Sequence, residues 1–208
     1  MRVLEAAPPF GLDNLKIADR PTPEPGPFEV LVRMRAVSLN YRDLLSVLGG
    51  YGRQVQQPVV PLSDGCGVIE KIGPGVTRVK VGDRVSTLFF QRWIAGVPTM
   101  AARASALGSA TEAGAARDYA VFNENGVSKV PDYLTDEQVA TLACAGLTAW
   151  RALFEDARLE PRRAFVGEHL ERLEEHRAHA GIEGHLVELG REVFLRLGVQ
   201  DQSELVVQ

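Results

Sequence analysis

A chain of 208 residues, 45% of them apolar, is long enough to bury a sizeable core and reads as globular. Its 23 basic and 27 acidic residues give a net charge of −4 with no long block of one sign, which argues against a nucleic-acid or anionic-membrane partner and leaves a small molecule as the expected ligand. Cys66 and Cys144 stand far apart in no CxxC spacing, as reduced thiols do; with no apolar run near the ~18 residues of a membrane span, the expected location is the cytoplasm.

From Met1 to about Val130, short apolar runs broken by Gly, Pro and Asp predict a β-rich unit. Pro21, Pro23, Pro25 and Pro27 cannot donate to a ladder and make an extended connector. Phe28–Val37 then alternates, with Val30, Val32, Met34 and Ala36 on one face and Glu29, Arg33 and Arg35 on the other. In "NYRDLLSVLGGYG", Asn40 is placed to cap a short helix that Gly49-Gly50 stops. Two strand candidates flank Gly73-Pro74-Gly75, a tight turn that needs the φ freedom of glycine. Residues 91–116 are rich in Ala, Gly and Ser and predict a loop or short helix. Strand signals return in "RDYAVF" and "GVSKV".

After Pro131 the pattern turns helical: Thr135 caps, Glu137 and Gln138 fill the first turn, and Gly146 is expected to divide the helical stretch into two helices. The tail from Arg162 has two short apolar stripes, Leu170 and Leu173, then Ile182 through Leu197, which predict a helical hairpin, with a last extended piece at Ser203–Val207. It holds all four histidines and no lysine. His169, His176 and His179 share a helical face with the cation Arg172 and match no zinc-ligand spacing, so they read as a solvated charged surface.

Three segments, "VLVRMRAVSLNYRDLLSVLGGYG", "VVPLSDGCGVIEKIGPGVTRVKVGDRV" and "LTDEQVATLACAGLTAWRALFEDARLEPRR", together resemble the medium-chain dehydrogenase/reductase superfamily, in its alcohol dehydrogenase and quinone oxidoreductase group. The resemblance implies a GroES-like alcohol dehydrogenase N-terminal domain over residues 1–132, connecting helices over 133–160, and a helical tail of unknown origin over 161–208, α+β overall. Where zinc-dependent members carry a cysteine and a His-Glu pair, this chain has Asn40 and Ser63-Asp64, poor zinc ligands apart from Asp64; Cys144 falls at the third position. The resemblance is therefore to the zinc-free branch, whose members pass a hydride from NADP(H) to a quinone, enone or other carbonyl.

By the same resemblance Asn40, Tyr41 and Asp43 line the substrate cleft and Thr148 approaches the nicotinamide. Each has a plain alternative: Asn40 a helix cap, Tyr41 a half-buried ring, Asp43 a first-turn charge favoured by the helix dipole, Thr148 an ordinary helical residue. The expected Gly-rich turn is missing: after "LEPRR" there is no G-x-G-x-x-G, and the residues that remain are too few for a parallel sheet with crossover helices. The Rossmann domain is thus expected to be absent, and with it most or all independent activity. A non-catalytic module that dimerises through the helical tail, giving a homo-oligomer, is the alternative.

Overall fold

The computed structural model describes residues 1–49, 57–156 and 205–207. The predicted helical hairpin of the tail lies outside the described residues.

The chain begins with an antiparallel pair, β1 (Arg2–Ala6) and β2 (Leu15–Asp19), in register from Arg2 opposite Asp19 to Ala6 opposite Leu15. Alternation decides the buried face: Leu4, Ala6 and Leu15 are buried and pack with Leu39, Leu44, Val47 and Leu62 in one core cluster.

The main sheet is built on β3 (Glu29–Leu39), whose one edge pairs antiparallel with β4 (Asp64–Ile72). Its other edge pairs with β6 (Tyr119–Asn123) near the start and, in parallel, with β8 (Leu205–Val207) over Val37–Leu39. The extended piece expected near Ser203–Val207 is this β8. Beyond β4 lie β5 (Arg84–Thr87) and β7 (Val127–Lys129), so the path runs β6-β3-β4-β5-β7.

That order forces curvature. β6 and β7 are opposite ends of the path yet are joined only by a 3₁₀ turn, Glu124–Gly126. Five flat strands would hold their outer members ~19 Å apart at ~4.8 Å per strand, while such a turn advances only ~2 Å per residue. The sheet must curl into a barrel around Val30, Val32, Ile69, Val85, Leu107, Ala120, Phe122 and Val127, the second core cluster. Glu124 secures the joint, its carboxylate accepting the N–H groups of Thr77 and Arg78 at 2.8 Å each.

β3 follows the predicted alternation in part. Val30, Val32 and Ala36 are buried and Arg33 and Arg35 more exposed, but Leu31, Ser38 and Leu39 are buried as well, because shifts of register at Leu31/Val32 and Met34/Ala36 re-aim the side chains. In the connection from β4 to β5 Gly75 has φ +82, with the Phe28 ring packed where a Cβ would point. The Ala-rich stretch holds one short helix, α2 (Met100–Arg103), capped by Thr99.

Two helical segments position the site. α1 (Tyr41–Val47) follows β3 directly, and α3 (Asp136–Ala140) starts at Thr135, whose hydroxyl accepts from Gln138 N–H while Gln138 Oε1 accepts from Thr135 N–H. Val139 and Ala140 pack on Ala36 and Cys66, the third cluster, and Ser38 Oγ donates to Ala140 O at 3.0 Å. After α3 the chain makes a π-helical turn, Leu142–Gly146, then α4 (Leu147–Trp150) and a second π-helical stretch, Arg151–Asp156. Gly146 does not divide it: φ −60 and ψ −46 are helical, and the π turn absorbs the irregularity without a break.

Candidate active site

The site grows from the join of β3 and α1. Asn40 leaves β3 with extended φ −114 and ψ 155, and its N–H is taken by Asp43 Oδ2 at 2.9 Å, the carboxylate of the first turn reaching back over the helix N-terminus. With its backbone so occupied, Asn40 turns its amide towards β4, where Nδ2 donates to Asp64 Oδ2 at 3.3 Å. Thr87 fixes the start of β4, its hydroxyl accepting from Gly65 N–H and donating to Ser63 O, both at 3.0 Å. Asp64 Oδ1 and Ser63 Oγ are buried with no hydrogen-bond partner among the described residues.

Burial sets the protonation of this group. Asp43 is wholly buried, and loss of water pushes its carboxyl from 3.8 up to about 6; the neighbouring Asp64 charge adds to this, and the Asn40 N–H and Arg42 oppose it. Burial raises Asp64 too, against the Asn40 amide hydrogen bond. Two close carboxyls that both resist ionising titrate as a pair. The Cys144 thiol, on the π turn, is pushed up to about 11, first by burial and then by the Asp64 charge.

The structure joins Asn40, Asp43 and Asp64 into one hydrogen-bonded group. Tyr41 is 48% exposed on the first turn of α1, and Thr148 is exposed on α4. The resemblance set Asp64 beside Asn40 at zinc-ligand positions; that it instead accepts from the Asn40 amide follows in the structure from β3–β4 pairing of Ser38 with Asp64.

The sequence gives no sign of a cavity of about 680 Å³ beside α1, lined there by Arg42, Ser46 and Gly49 and walled by Phe10, Phe89, Phe90 and Trp93. The i, i+4 spacing of Arg42 and Ser46 is its one trace in the chain's pattern.

A zinc ion does not fit the Asn40 group. Zinc takes thiolate, imidazole or carboxylate, whereas here an amide, Asn40, stands in the group with its nitrogen turned to the Asp64 carboxylate. No group of three or more His, Cys, Asp or Glu side chains is placed to hold a metal among the described residues. Nor do these residues fit the pyrophosphate of a dinucleotide: they include no βαβ unit with a glycine-rich turn opening a helix. No helix among them is long and apolar enough to cross a membrane.

A curled, mainly antiparallel sheet flanked by short capped helices is the GroES-like type of fold. Residues 26–132 match the family described as alcohol dehydrogenase GroES-like domain, and the chain belongs to that family, within the medium-chain dehydrogenase/reductase superfamily. The zinc-type alcohol dehydrogenase-like protein C1773.06c of Schizosaccharomyces pombe is 45% identical over 145 residues, 69% of this chain and 42% of that protein. Among solved structures, an NAD-dependent alcohol dehydrogenase superposes with a TM-score of 0.65 at 29% identity over 75% of this chain and 47% of that one. A quinone oxidoreductase of Pseudomonas syringae pv. Tomato DC3000 gives 0.61 at 28% identity over 77% and 42%. The chain spans about two fifths of the length of the curated relatives it matches.

Proposed function

We propose that this chain is the substrate-side half of a zinc-independent oxidoreductase, a barrel that holds a quinone, enone or other carbonyl for reduction by NAD(P)H and that transfers little or no hydride by itself. The observation that carries this reading is the Asn40–Asp43–Asp64 group. Asn40 has one amide N–H on Asp64, and its second, without a partner among the described residues, can donate to a carbonyl oxygen, polarising it for attack at carbon. Tyr41, half exposed beside it, offers a hydroxyl donor to the same oxygen. Asp43 touches no substrate; buried, it acts through Asn40 as a positioning residue. Thr148 is open to contact from a nicotinamide ring.

Hydride transfer needs donor and acceptor held at contact distance, and among the described residues no phosphate cradle for the cofactor is formed. Purified chain mixed with NADPH and a quinone is expected to oxidise NADPH no faster than buffer, and a calorimetric NADPH titration to show no saturation. A rate above background would overturn the inactive reading.

A second reading, favoured by exposed Leu142, Leu147 and Trp150 on the helical segment after α3, is a non-catalytic module that self-associates. Sedimentation equilibrium separates the two, since a monomer at high concentration contradicts it.

A further inference from the structure

We propose that the cavity on the Arg42 and Ser46 flank of α1 binds a flat aromatic compound carrying one negative charge, an aryl carboxylate being the simplest case. The inference rests on the reading of α1 as the border of the substrate cleft and gives that cleft a substrate class. Its volume, about 680 Å³, suits a bicyclic ligand.

The walls are aromatic and held in place. Phe89 and Phe90 meet edge to face with ring centres 4.6 Å apart, and Phe90 and Trp93 do so at 5.3 Å. The Trp93 indole N–H donates to Gly96 O at 3.0 Å, which ties the ring in place and occupies that donor. Such walls favour a flat π-system.

The charge is specified separately. Among the described residues, two arginines, Arg42 and Arg103, line the cavity and no aspartate or glutamate does. Arg42 is held with its guanidinium 4.6 Å over the Phe89 ring by donation to Leu107 O at 2.7 Å. Arg103, on the last turn of α2, has no carboxylate partner among the described residues. One ligand charge suffices, because Asp43 Oδ1 lies 3.4 Å from Arg42 Nη1 and already offsets part of that cation.

The test is calorimetric titration of the full chain, without any nicotinamide, with 2-naphthoate and with its neutral counterpart 2-naphthamide. Saturable binding of the acid, roughly tenfold tighter than the amide, is expected for one charge-assisted contact. R103Q, at an exposed position where the fold tolerates the change, should erase most of that preference and R103K retain it; R42Q should erase it also, with thermal melting to show that the variant folds. Equal binding of acid and amide, no saturation by either, or a preference untouched in both R103Q and folded R42Q overturns the proposal. NADPH oxidation is not read in this titration, so its failure leaves the oxidoreductase reading to its own test.

Discussion

Asp43 shows most directly how local chemistry and burial compete. As a first-turn carboxylate it should ionise readily, favoured by the helix dipole and the Asn40 N–H. Wholly buried, it instead titrates near 6, above the 3.8 of an ordinary aspartate. The folded state therefore keeps a proton that the unfolded chain has lost between about pH 4 and 6, and stability falls as pH rises through that window, by on the order of 2–3 kcal/mol. Asp43→Asn, which keeps an acceptor for the Asn40 N–H, should flatten this fall in urea unfolding followed across the same window. The cysteines obey the same desolvation. With Cys66 pushed up to about 12 and Cys144 to about 11, the thiolate at pH 8 is scarce, and alkylation of the folded chain should run about a hundredfold slower than for a free thiol. Maleimide labelling timed by mass spectrometry checks this; labelling at the free-thiol rate contradicts it. The capping role of Asn40 was legible from "NYRD", because it needs only residues three apart. The orphaned Asp64 oxygen was not, because it depends on a partner strand.

Among the elements, one carboxylate adds to the apolar packing and the Ser38 bond that hold α3 on the sheet. Asp136 Oδ1 accepts from Arg84 Nε at 2.9 Å and from Cys66 Sγ at 3.5 Å, while Oδ2 meets Arg35 Nη1 at 3.3 Å; Arg84 Nη2 also donates to Leu134 O at 2.8 Å. Arg35, Cys66 and Arg84 come from β3, β4 and β5, so one residue ties the helix to three strands. Asp136→Asn should cost about 1–2 kcal/mol, more than an isolated surface pair because the acceptor serves several donors at partial burial. Urea unfolding measures that cost, and the Cys66 thiol, raised in part by this carboxylate, should titrate lower in the variant. Helix starts were readable from the sequence, Thr135 with Gln138 above all, since a capping box is a local bond pattern. The fate of Gly146 was not, since neighbouring turns tolerate it as a π turn. Strand faces match the sequence period wherever pairing is regular and are shifted at the two irregularities of β3, which that period cannot show.

For the molecule as one body, the joint between β1, the 59–62 segment and the barrel is closely packed. Ala6 and Val59 exchange backbone hydrogen bonds at 2.9 and 2.8 Å, Leu4 N–H reaches Ala116 O at 2.8 Å, and Gly114 N–H reaches Val60 O at 2.8 Å. A Cβ on Gly114 would lie 2.1 Å from Pro61 O and 2.2 Å from Leu62 O, both backbone atoms that cannot swing aside. Gly114→Ala should therefore lower global stability by roughly 2–4 kcal/mol, seen as an earlier urea midpoint with an unchanged slope. A loss under ~0.5 kcal/mol would mean that this joint yields. The β-rich class, the helix caps and the family could all be read along the chain, because periodicity, capping pairs and ordered motifs are properties of neighbours in sequence. That the Asn40 amide donates to Asp64, that both aspartates hold raised carboxyls, and that Arg42 and Ser46 open on an aromatic cavity came from the folded chain alone. Burial and contact between distant strands are created when the sheet curls, and no local pattern encodes which side chains the curl will strip of water.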